Sequence, residues 1–235
     1  MSSFSSFSSF FGPGRLALVV GTGLTLTACA GGPDPEAAGA SHMSAHYGQV
    51  DEIQEAVIAG NVNGTRDAAR WLSTHEGQEF PATAAPALEA MRNEGRIMLR
   101  QNDILAVART LGRLGVACAS CHTALAANVT FPLEEPPASS ANPASHMRRH
   151  AWAMDRMWEG LSAPSDGLWS AGAGALTTLP VDFGGNDQAN LLAARVHELS
   201  DIARRGTTAE DRADTYGDLL ETCGLCHDAL RMRER

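Results

Sequence analysis

The chain has 235 residues, enough for one or two domains, and a net charge of −9 at pH 7. It has no basic run, and its arginine pairs 148–149 and 204–205 stand alone, which excludes the electrostatic footprint of a nucleic-acid-binding protein. Five cysteines occur, and four of them sit in two short motifs, so none remains for a structural disulfide.

The N-terminus reads as a targeting segment. Residues 1–14 are polar and rich in Ser and Phe, and Arg15 follows as their charge. Leu16–Leu26 is an apolar run too short to span a bilayer as a mature helix. It ends in Leu26-Thr27-Ala28-Cys29, which resembles the bacterial lipobox. The resemblance implies that residues 1–28 are a lipoprotein signal peptide and that Cys29 is lipidated. The mature protein would then be anchored on the periplasmic side of a bacterial membrane. An ordinary secretory signal is the alternative, and it too exports the chain. Residues 29–41, rich in Gly, Ala and Pro, read as a flexible tether.

After the tether the pattern is helical throughout. Helix A runs from about His42 to Ala59, helix B over Thr65–His75, and helix C from Pro86 to Gln101. Helix D follows Asn102, a candidate cap. Its residues Ile104, Ala108, Leu111, Gly115, Cys118, His122 and Leu125 form one stripe at helical period. A Pro-rich linker covers 128–145. Then the order returns. His42-Met43-Ser44-Ala45-His46 recurs as His146-Met147-Arg148-Arg149-His150, 104 residues on (146 − 42). The second helix D repeats the stripe through Ala213, Tyr216, Leu220, Cys223 and His227. A repeat this long predicts a duplicated domain rather than a solenoid unit. The expected fold is therefore all-α, two tandem four-helix bundles over 42–127 and 146–231. Gly167, Gly172 and Gly174 predict that the second helix B is short or irregular.

The chemistry lies in Cys118-Ala119-Ser120-Cys121-His122 and Cys223-Gly224-Leu225-Cys226-His227, 105 residues apart (223 − 118). Both are C-x-x-C-H sites for covalent attachment of c-type haem. On a helix, cysteines at i and i+3 share a face, so both thiols reach the vinyl groups of one porphyrin. The following histidine becomes the proximal ligand of the iron. A four-thiolate zinc site is the competing reading, but 102 residues separate the two pairs (223 − 121), and zinc gives no reason for a histidine after each. A dithiol redox pair would open a helix after a strand, and neither pair does. Two c-type haems are thus expected, one near the end of each last helix.

A four-helix bundle with C-x-x-C-H near the end of its last helix resembles the class II c-type cytochromes, the cytochrome c′ and c-556 group. The resemblance covers both repeats. It implies an axial ligand from the first helix in the c-556 type and an open distal side in cytochromes c′. Family members often carry an aromatic and then a basic residue after the haem histidine. Here Leu125-Ala126 and Leu230-Arg231 take those places, so only Arg231 keeps the pattern.

In an up-and-down bundle the start of helix A meets the end of helix D. His46 or Met43 is therefore the candidate distal ligand in the first repeat, and His150 or Met147 in the second. His75 and His197 have no counterpart in the other repeat and read as surface residues. The expected function is electron transfer through two covalent haems to an unidentified redox partner protein. The rivals are a module binding NO or CO at an open iron, and a peroxide-reducing enzyme with an unligated histidine as its acid–base group.

Overall fold

The computed structural model describes residues 35–77, 80–132, 134–138, 140, 142–177 and 182–230. The signal segment, Cys29 and the tether up to residue 34 lie outside them. The chain is all-helical among the described residues, with eight α-helices and no strand. They are α1 Pro35–Ile58, α2 Arg66–Thr74, α3 Ala85–Arg100, α4 Ile104–Ala124, α5 Pro143–Ser162, α6 Asp166–Leu176, α7 Asp187–Ala203 and α8 Ala209–Ala229. A 3-10 turn, Val62–Thr65, leads into α2.

The ends follow local chemistry. The Asp103 carboxylate accepts the Ala106 amide to start α4, and the Thr208 hydroxyl accepts the Asp211 amide to start α8. The cap of α4 is therefore Asp103, not Asn102, whose side-chain oxygen accepts from Arg66 instead. The first helix begins at Pro35 rather than His42. Proline suits a first turn, where its missing N–H costs nothing, so the second half of the expected tether is helix. Helix α6 is neither short nor irregular. Ser165 caps it, and Trp169 anchors it by donating from Nε1 to the Ala203 carbonyl at 2.8 Å. Its Gly172 lies so close to α5 that a Cβ would stand 2.5 Å from the Ala153 carbonyl oxygen. The glycines that lower helix propensity here let two backbones meet.

Packing crosses the repeat boundary. Helix α1 packs on α2, α4 and α8, while α5 packs on α4, α6 and α8. Along the α4–α8 seam Gly112 lies under the Ala213 carbonyl, and a Cβ on Gly217 would stand 2.8 Å from Arg109 Cα. Ile53, Leu111, Leu114, Met157, Tyr216 and Leu219 belong to one continuous core, to which both repeats contribute. From Pro35 onward the chain forms one compact unit. Helix α4 has the length and hydropathy of a membrane span, but over half of it is buried inside the protein, and it is the central helix of this core.

Candidate functional site

Helices α4 and α8 each bring a C-x-x-C-H motif to the wall of a cavity. The first cavity, about 560 Å³, is lined by Cys118, Cys121 and His122 of α4. Residues of α1, α3 and α5 and the segment Val129–Phe131 complete it. The second, about 520 Å³, is lined by Cys223, Cys226 and His227 of α8 together with α1, α5 and α7. Both volumes fall within the ~300–1,000 Å³ typical of cofactor pockets. Leu88, Met91, Phe131 and Trp158 give the first an apolar wall, and Met154, Phe183, Val196 and Leu220 the second.

The four thiols are free. Burial pushes Cys118 and Cys223 up to about 12, with Cys121 and Cys226 beside them adding to it, and burial also raises Cys121 and Cys226. Protonated buried thiols suit addition across a vinyl group. His122 Nδ1 lies 2.8 Å from the Ser162 carbonyl oxygen of α5. A carbonyl only accepts, so Nδ1 carries the proton, and Nε2 is left with its lone pair for a metal. The residue that orients His122 thus comes from the second repeat.

His46 and Met43 line the first cavity, and His150 and Met147 line the second, as the sequence led us to expect. The Nε2 atoms of His46 and His150 are buried with no hydrogen-bond partner among the described residues. Burial, then the neighbouring His42, His75 and His122, lowers His46 to about 3. Burial, then His146, His197 and Arg149, does the same to His150. Both imidazoles are therefore neutral and able to bind a metal near neutral pH. At each site two thiols, the histidine that follows them, a cofactor-sized apolar cavity and a buried imidazole with an unpartnered Nε2 form a donor set that fits a covalent haem; in the first, the Ser162 carbonyl also orients the histidine.

His75 and His197 are not surface residues apart from the sites. His75, at the C-terminal end of α2, stacks on Trp71 with ring centroids 4.2 Å apart and lies 4.5 Å from the His42 ring and 4.9 Å from that of His46. Arg92 of α3 fixes it by donating to its carbonyl at 2.7 Å. His197 of α7 has a buried Nε2 and acts electrostatically on both His146 and His150, whose rings are 4.1 Å apart. All eight histidines of the chain thus divide four to each site. The repeat offset hid this, because the fourth histidine comes from α2 in one half and α7 in the other.

The two cavities also share a wall. Tyr47 and Asp51 of α1 line both of them. Asp155 lines the second, and Glu159, 3% exposed, lines the first. Burial raises Glu159 to about 7 in spite of its pairing with Arg156, and burial and Asp155 raise Asp51. Tyr216 is fully buried, and its hydroxyl oxygen accepts from Gln54 Nε2 at 2.7 Å. Comparison with protein-family models, with curated proteins and with solved structures found no match for this chain.

Proposed function

We propose that the chain is an exported, lipid-anchored electron carrier, a dihaem cytochrome c built as two interlocked four-helix bundles. Cys118, Cys121 and His122 would hold one haem, and Cys223, Cys226 and His227 the other. One recurrence supports this most. In both halves a C-x-x-C-H motif ends a buried helix at a cofactor-sized cavity, and the same cavity carries a second, neutral imidazole without a partner.

When bound, haem supplies an iron that takes up and releases one electron. The chain's own residues define its surroundings. Cys118 and Cys121 in the first cavity, and Cys223 and Cys226 in the second, would hold the ring through thioether bonds. Ser162 holds His122 in the tautomer that presents Nε2. His46 and His150, whose Nε2 atoms are buried without a hydrogen-bond partner in the same cavities, would supply a second imidazole to the iron, a ligand set that lowers the potential relative to Met/His. Met43 and Met147 are the thioether alternatives in the same cavities and would raise it.

The test is the absorption and electron paramagnetic resonance spectrum of the ferric protein, with carbon monoxide added after reduction. Two haems per chain, low-spin and indifferent to carbon monoxide, are expected. High-spin iron that binds it readily would sink the carrier and leave gas binding or peroxide chemistry. Membrane attachment is tested separately: Cys29→Ser is expected to release the protein from the membrane fraction.

A further inference from the structure

The first cavity has more histidine beside it than one iron needs. His42, His46 and His75 each turn a ring nitrogen toward the others, and their ligand atoms all lie within 4.8 Å of one another. Among the described residues they are the only trio of histidine, cysteine or carboxylate side chains gathered so closely. His75 Nε2 stands 3.3 Å from His42 Nδ1. Metal–nitrogen bonds of ~2.0–2.1 Å in tetrahedral geometry put two ligand nitrogens about 3.3–3.4 Å apart, so this pair already has the separation an ion would impose.

The trio is a constructed feature rather than a chance meeting of exposed side chains. His42 is 8% exposed, and His46 stands on the same helix face one turn on. His75 arrives from another helix, stacked on Trp71 and pinned through its carbonyl by Arg92. Three imidazoles suit a borderline divalent transition metal and leave a fourth position for water.

We infer that His42, His46 and His75 bind a divalent transition metal ion of the zinc or copper class beside the first cavity. An ion held there withholds His46 from the iron of the first haem. The first statement stands without any haem; the second rests on the electron-carrier reading above. Among the described residues the second repeat has no equally tight trio, so the two sites would respond differently to the same ion.

The experiment titrates the full-length haem-loaded protein with zinc ion, which has no absorption of its own, following binding by calorimetry and the haem spectrum in parallel. The wild type is expected to take up one equivalent. His75→Gln and His42→Gln should each weaken binding by more than the ~10–100-fold that losing an outer partner of a metal site costs. His197→Gln should leave it unchanged. Half of the haem is expected to turn from low to high spin as zinc binds. No stoichiometric uptake, or uptake unaffected by His75→Gln, overturns the site. Uptake with an unchanged haem spectrum overturns the withholding of His46. Melting curves of each variant separate lost binding from lost fold. A pyridine haemochrome assay on the same sample shows whether covalent haem is present. Its absence would sink the carrier reading and leave the zinc titration valid, since no cysteine belongs to the trio.

Discussion

His46 and His150 are titratable groups that the fold holds neutral, and this has a sign. Each has a folded pKa of about 3 against 6.5 when free, so the unfolded chain binds the proton more readily. Their contribution to stability is fully present above about pH 6.5 and is lost as the pH falls toward 3. Glu159 works in the opposite sense: raised to about 7, it contributes below its free value of 4.5 and loses that contribution as the pH rises through 7. The two effects are told apart by substitution. In calorimetric melts between pH 7 and 4, His46→Gln with His150→Gln is expected to flatten the acid loss seen in the parent. An unchanged slope would place the titration elsewhere. At this scale the sequence was informative wherever a residue's role depended on local spacing, as for the cysteines and the histidines that follow them. His75 and His197 could not be placed, because each reaches its site through helix packing and not through any interval along the chain.

Among the elements, glycine divides into two kinds that sequence alone does not separate. Gly112 and Gly217 stand where α4 and α8 touch backbone to backbone. Gly112→Ala or Gly217→Ala should lower stability by about 1–3 kcal/mol through overpacking. Gly174 sits in the last turn of α6, with nothing within 4 Å of where its Cβ would be. Gly174→Ala should raise stability by about 0.5–1 kcal/mol. Urea unfolding of the three variants measures both signs in one experiment. The helices themselves were legible from their period, and the order of eight was read correctly, while the starts of α1 and α4 were misplaced. The irregular second helix expected from Gly167, Gly172 and Gly174 was not found. Propensity counts the entropy a glycine loses and is blind to the contact its missing side chain permits.

For the molecule as a whole, neither repeat is complete. The first cavity needs α5 for its wall and for the carbonyl that orients His122, and the second needs α1. We therefore expect residues 35–127 and 143–230, made separately, to show no cooperative melt, and to recover one when refolded together. A sharp transition in either fragment alone would mean self-sufficient bundles. Because Tyr47 and Asp51 line both cavities, on the proposed dihaem reading Tyr47→Ala should shift both potentials in a redox titration, where a residue private to one site would shift only one. The Pro-rich stretch at 128–145 reads in the sequence as a boundary between domains. Its composition describes the connection and not what the connected helices bury, so the interlocking was out of reach.

The α4–α8 seam carries a record of how the molecule arose. Gly112 meets Ala213 and Gly217 meets Ala108, and each partner lies 105 residues from its equivalent (213 − 108, 217 − 112). A pairing in which one residue meets a second, and the equivalents meet in reverse, is the isologous contact of a symmetric dimer. A single ancestral repeat could have made this seam with another copy of itself, before gene fusion joined the two. Fusion frees the halves from identity. The fourth histidine comes from the end of α2 on one side and from α7 on the other, so the two sites are unlike.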